Sequence, residues 1–255
     1  MDTLEASFSM LTNPGVLIYL LKGIAFTLVL SVVAVVLGVV FGSVLALVRN
    51  YCTTKKTKVF KALATMYIEV FRNTPLLLWI FICLVFLPFP KILSRSMFGL
   101  TSVEVKMLYK AAFALILFTS SVIAEIVRGG LNAVAHGQFE AGHSQGFNTV
   151  QIMIYIVLPQ AYRNIVPTLL SQVITTIKDS SYLANVAVIE LMSRTKTLLG
   201  SAYIYNGTGT VNVSDVFVLF GFAMVIYFII NFALSSLVRY VQMHPRIPKP
   251  AVKTG

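Results

Sequence analysis

Glu140–Gln160 reads EAGHSQGFNTVQIMIYIVLPQ, a polar run followed by a largely β-branched apolar one, and it interrupts a chain otherwise dominated by hydrophobic stretches. Of 255 residues, 57% are hydrophobic and only 11% charged, less than half of the roughly one quarter usual in a soluble domain. Such a composition describes an integral membrane protein, and the quoted loop is where that protein faces water.

Working outward from the loop, five segments are long and apolar enough to cross a bilayer: approximately 23–48, 62–88, 111–127, 165–191 and 215–238. A crossing needs about 20 residues, so the expected fold is all-α, one transmembrane domain over residues 1–255 with five spans and a loop over about 128–163. The N-terminal stretch MDTLEASFSMLTNPG has no Lys or Arg before Lys22. It lacks the positive flank of a cleaved signal peptide, and the first apolar segment is expected to remain a span.

The net charge of +11 brings nucleic acid to mind, but no basic stripe with interleaved aromatics accompanies it. Lys and Arg gather instead between the first two spans (Arg49, Lys55, Lys56, Lys58, Lys61) and in the tail (Arg239, Arg246, Lys249, Lys253). Placing both groups inside puts the N-terminus outside, the C-terminus in the cytoplasm and the 128–163 loop in the cytoplasm. Cys52 and Cys83 fall at different depths and are expected to be unpaired. No phosphate-binding G-x-x-x-x-G-K-[ST] loop, H-E-x-x-H pair, G-x-S-x-G elbow or C-x-x-C motif occurs, so no ATP hydrolysis is expected of this chain alone.

Within the loop, Gly137 can turn the chain, Gln138–Gln145 can form a short helix, and Gly146 can end it in a left-handed conformation. A short capped helix between two spans makes a rigid protrusion. YIEVFRNTPLL (Tyr67–Leu77), AEIVRGG (Ala124–Gly130), GQFEAG (Gly137–Gly142), LPQA (Leu158–Ala161) and KDSS (Lys178–Ser181), with Glu190-Leu191 beyond, follow one another in order on suitable segments. Together they resemble the permease subunits of polar amino acid ABC importers, the histidine, glutamine and glutamate type with an EAA loop, over roughly residues 15–240. Three positions depart from that pattern: Gly142 in place of the second Ala of the triplet, Asn73 where Gly is common, and Tyr182 where Leu is common. A glycine inside the short helix costs about 1 kcal/mol relative to Ala.

The resemblance implies a type I importer permease of the bacterial cytoplasmic membrane that pairs with a second permease, the same chain or a related one. It also implies a cytosolic ATPase dimer that holds the ATP, an extracytoplasmic binding protein that delivers the amino acid, and no cofactor or metal in this chain. Glutamine, glutamate, aspartate or basic amino acids are the implied cargo. Glu140, Ala141, Gly142, Gly146, Leu158 and Pro159 are the positions expected to couple the permease to the ATPase.

Ionisable side chains inside spans cost about 2.5–3.5 kcal/mol each on insertion scales and are functional candidates for that reason. Here they are Glu69 and Arg72 in the second span, Glu125 in the third, and Lys178 and Asp179 in the fourth. At about 1.5 Å per residue, Arg72 lies roughly 15 Å and Lys178 roughly 20 Å beyond the inner boundary, near the middle or outer half of the bilayer. Glu69 or Asp179 could accept from the ammonium of an amino acid, Arg72 or Lys178 could donate to its carboxylate, and Gln172, Ser180 and Ser181 could hold its side chain. The alternative is structural: Glu69 with Arg72 at i and i+3, and Lys178 across a helix interface, pair only to make the bundle interior tolerable. Glu125 and Arg128 are expected to form a local ion pair. An ion-coupled secondary transporter would need no ATPase but should show inverted repeats, and none is visible. An intramembrane enzyme would need a nucleophile and base at depth, and no histidine lies in a span.

Overall fold

The computed structural model describes residues 3–52, 54–93, 95–96 and 99–243. The basic tail with Arg246, Lys249 and Lys253 lies outside the described residues. A short helix α1 (Thr3–Thr12) leads into α2 (Pro14–Tyr51), which starts where Asn13 accepts a hydrogen bond from the Gly15 amide and Pro14 occupies the first turn. Next come α3 (Lys58–Arg72), α4 (Leu76–Phe86) and α5 (Ser102–Asn132), the last opened by a reciprocal Thr101/Glu104 capping box. The loop contains α6 (Gly137–Ser144) and α7 (Thr149–Ile152), after which a π-turn at Met153–Val157 feeds α8 (Leu158–Asp179). A 3-10 turn at Ser180–Val186 separates α8 from α9 (Leu191–Gly200), and α10 (Ala202–Tyr205) precedes α11 (Val213–Met243).

Helices α2, α5 and α11 are long and apolar enough to cross a membrane, and α3 with α4 would make a fourth crossing if the bent pair is counted as one. The 22-residue α8 is long enough but more polar. α2 and α5 run side by side in the same direction. Gly38 and Gly42, a G-x-x-x-G pair, bring the two backbones together, so that a Cβ on Gly42 would stand 2.7 Å from the Ser120 carbonyl oxygen. Around this seam one apolar core gathers Leu30, Ile80, Leu115 and Leu183, a second Ile123, Val127, Ile152 and Ile165, and a third Met10, Leu20, Leu191 and Leu219.

Two of the expected spans are not continuous helices. The 62–88 segment breaks at Asn73–Pro75, where α3 and α4 are bent by 112°. Pro75 brings no N–H to continue the ladder, Asn73 folds its side chain back to the Glu69 carbonyl at 2.8 Å, and Thr74 does the same to Val70. Trp79 then donates to Thr74 at 2.7 Å and stacks on Phe71 at 4.1 Å, which fixes the angle. The 165–191 segment likewise ends at Asp179, turns through Ser180–Val186, passes Ala187 at a left-handed φ of 55°, and restarts at Leu191.

Candidate substrate site and coupling elements

The second break is the centre of the candidate site. Leu183, Val186 and Val188 pack against Leu30, Ala34, Ile80 and Leu115, so the break lies within the packed body of the bundle and not in a peripheral loop. Interrupted helices at such depth expose backbone groups that only a cavity or protein can cover. Here a cavity of about 370 Å³ opens beside it, lined by Lys178, Ser181, Met192, Phe220, Met224 and Tyr227. Lys178 is exposed on that wall, while Asp179 is half-buried. Neither forms an ion pair among the described residues, so the cross-helix pairing entertained for Lys178 is not formed.

Gln172 and Ser180 face inward and are buried; Ser180 donates to the Ile177 carbonyl at 2.8 Å, and Gln172 lies 3.5 Å from the Thr176 hydroxyl. They support the end of α8 and do not line the cavity.

The far wall is organised by Glu190, which the sequence shows only as the residue before Leu191. Its carboxylate is fully buried and accepts hydrogen bonds from the Met192 amide (2.9 Å), the Ser193 amide (2.6 Å), the Tyr227 hydroxyl (3.1 Å) and, more weakly, the Thr27 hydroxyl (3.4 Å). It caps α9 and ties it to α2 and α11. Tyr227 thus reaches the cavity with its proton committed to Glu190. Arg194, one turn on, is also buried; it donates to the Tyr19 carbonyl at 2.9 Å and lies 4.3 Å above the Tyr19 ring. The local signal was slight: an acidic residue directly before a helix start, with its partners far off in the chain.

Glu69 and Arg72 are elsewhere. Both stand at the α3 end of the first break, beside the C-terminal end of α2, and they do not pair with each other. Glu69 accepts from Arg49 at 2.9 Å, and Arg72 lies 3.6 Å from Glu125. Glu125 is the hub, 2.6 Å from Arg49 and 2.8 Å from Arg128. The expected Glu125–Arg128 pair is present but belongs to this larger network. The 112° bend at Asn73–Pro75 leaves Glu69 and Arg72 at the end of α3, facing Arg49 of α2 and Glu125 of α5. They are not brought together with Lys178 and Asp179.

In the loop, α6 begins at Gly137 and Gly146 follows it at φ 82°, a left-handed conformation that glycine adopts without strain. Glu140 is exposed, 3.2 Å from His136, and Ala141 is exposed beside it. Gly142 is buried because α7 crosses it: a Cβ there would come within 2.7 Å of Ile152. The departure from Ala therefore has a local cause in close packing. Asn148 and Gln151 cap α7 reciprocally, and Gln138 meets Gln160 at 3.0 Å, which ties α6 to the first turn of α8, where Leu158 and Pro159 stand.

With this arrangement in view, comparisons place the chain clearly. The family described as "Binding-protein-dependent transport system inner membrane component" matches residues 38–247. A Bacillus subtilis protein named probable glutamine ABC transporter permease protein GlnP is 32% identical over 229 residues, covering 89% of this chain and 94% of its own length. The arginine transport system permease protein ArtQ of the same organism is 31% identical over 187 residues, 73% of this chain and 79% of its own. Among solved structures, an amino acid ABC transporter crystallised with histidines aligns at a TM-score of 0.67 and 27% identity, covering 89% of this chain and 94% of that one. The MetNI methionine ABC transporter shares the fold at a TM-score of 0.61 and 22% identity. The chain belongs to the membrane-embedded permease components of binding-protein-dependent transport systems.

Proposed function

We propose that this permease passes polar amino acids, of the glutamine, glutamate, aspartate or basic type, through the bundle at the break between α8 and α9. The observation that supports this reading most is the cavity of about 370 Å³ at that break, with Lys178 and Ser181 on its wall and no ion pair formed by Lys178 among the described residues. An amino acid presents a carboxylate to such a cation. Its ammonium would be received by Asp179, beside Lys178 at the end of α8. Relatives named for glutamine and arginine transport agree with this class of cargo.

The chain has no hydrolytic role in this reading. A cytosolic ATPase dimer binds the loop through α6, with Glu140, Ala141, Gly142 and Gly146 at the contact and Leu158 and Pro159 passing the movement to α8. A second permease subunit completes the pathway, and an extracytoplasmic binding protein supplies the amino acid. Five crossings, with the N-terminus outside and the C-terminus in the cytoplasm, place the loop on the ATPase side. The test is uptake of labelled glutamine into vesicles holding the permease with its ATPase and binding protein, challenged with an excess of each other amino acid. ATP-dependent uptake competed by polar amino acids supports the reading, and uptake without ATPase overturns it.

A further inference from the structure

The cations at one end of the bundle fall into two groups. Arg49, Arg72 and Arg128 are all engaged by Glu69 or Glu125. The side chains of Lys55, Lys56, Lys58 and Lys61, in the turn after α2 and the first turn of α3, form no ion pair or hydrogen bond among the described residues. The chain has no acidic residue from Cys52 to Ile68. Four positive charges in seven residues are therefore uncompensated.

The helix that carries two of them has three distinct faces. Ala64, Ile68 and Phe71, at i, i+4 and i+7, are buried against the bundle, and Tyr67 donates to the Leu117 carbonyl at 2.9 Å. Lys58, Glu69 and Arg72 occupy a polar face. Val59, Leu63, Met66 and Val70, at i, i+4, i+7 and i+11, form a third stripe that is apolar and exposed. At 15 residues α3 is about 22 Å long, too short to cross, and it is bent 112° from α4. A short helix bent sharply from the next one, with an outward apolar stripe and a cluster of lysines at its start, has the chemistry of an interfacial helix on an anionic surface.

We propose that α3 and the turn before it form a binding site for anionic lipid headgroups in the leaflet that holds the C-terminal ends of α2 and α5. The apolar stripe enters the acyl region and the four lysines meet headgroup phosphates. Lipid, not protein, is the favoured occupant because the charge is a single sign and the exposed stripe beside it is wholly apolar. Since α3 also carries Glu69 and Arg72, lipid bound here holds the Arg49–Glu125 network in register.

Cys52 gives a reporter three residues from Lys55, and Cys83 is buried, so a maleimide fluorophore on the full chain reads this spot. The labelled chain is placed in phosphatidylcholine vesicles containing a trace of nitroxide-headgroup phosphatidylglycerol or, separately, nitroxide-headgroup phosphatidylcholine. Quenching by the anionic probe should exceed quenching by the neutral one by about ten-fold, and this ratio should fall toward one in high salt. The Lys55→Gln, Lys56→Gln, Lys58→Gln, Lys61→Gln variant should lose the preference, and the corresponding four-arginine variant should keep it. Equal quenching by both probes in the unmodified chain, a preference indifferent to salt, or a preference retained by the glutamine variant would overturn the proposal. Shielding of the label from both probes, as a covering protein would produce, would overturn it too.

Discussion

Arg49 at the end of α2 and Glu125 in α5, separated by 76 residues in the chain, meet at 2.6 Å, and Arg72 and Arg128 close on the same carboxylate. One acid thus holds three guanidinium groups where α2, α3 and α5 converge. The Glu125 side chain is only 17% exposed, while its partners are more open, so the network lies between a surface pair and a buried one.

Replacing Glu125 with Gln should leave Arg72 and Arg128 without a carboxylate and Arg49 with Glu69 alone, and lower stability by about 2 kcal/mol, between the values for exposed and buried pairs. Adding Arg49→Gln should recover part of the loss. Thermal unfolding of the purified single and double variants gives the comparison, and strictly additive losses would contradict the network.

Gly42→Ala is expected to be costly because its methyl would stand 2.7 Å from the Ser120 carbonyl oxygen and 2.9 Å from the Ala124 amide nitrogen. Overpacking of this kind costs about 1–3 kcal/mol. Gly221→Ala, in α11 with nothing within 4 Å of the added carbon, serves as the control and should be neutral or slightly stabilising. Chemical unfolding in detergent separates the two.

At Gly146 the φ of 82° leaves open space around an added Cβ, so the cost of Gly146→Val is conformational, at least about 1–2 kcal/mol. Strain there should reposition α6 and abolish substrate-stimulated ATPase activity and transport while the permease still inserts. Gly146→Asn, which tolerates the left-handed region, should retain much of both. Normal transport by the valine variant would remove the coupling role of this turn.

If Lys178 and Asp179 contact the amino acid, Lys178→Met or Asp179→Asn should cut substrate-dependent transport ten-fold or more, at about 1.4 kcal/mol per factor of ten, with the complex still assembled. A double variant that assembles and transports with unchanged preference would refute substrate contact at these positions.

Topology has a direct check. Cys52 should be labelled by a membrane-impermeant reagent from the cytoplasmic side, and a cysteine replacing the exposed Thr208 from the opposite side. Labelling of both from one face would rule out the five-crossing arrangement.

Much of the fold could be read from neighbouring residues alone. The apolar runs, the Gly146 turn and the short helix before it rest on interactions within a few positions, as do the capping boxes at Thr101/Glu104 and Asn148/Gln151, and local chemistry suffices for them. The ordered series of motifs likewise pointed to the permease family. The candidate site was half visible: Lys178 and Asp179 stood out as charges in an apolar span, yet Glu190 and Tyr227 on the opposite wall did not.

What residue spacing could not decide was where helices stop being straight and which distant groups then meet. Pro75 announces a disturbance, but the 112° turn depends on Asn73, Thr74 and the Phe71–Trp79 stack acting together. At that turn Glu69 and Arg72 meet Arg49 and Glu125, and not Lys178 and Asp179. Glu190 is tied to Thr27 across 163 residues and to Tyr227 across 37. Local periodicity reports which face of a helix is apolar; the partner of a buried charge is set by how whole helices pack, and only the folded bundle holds that information.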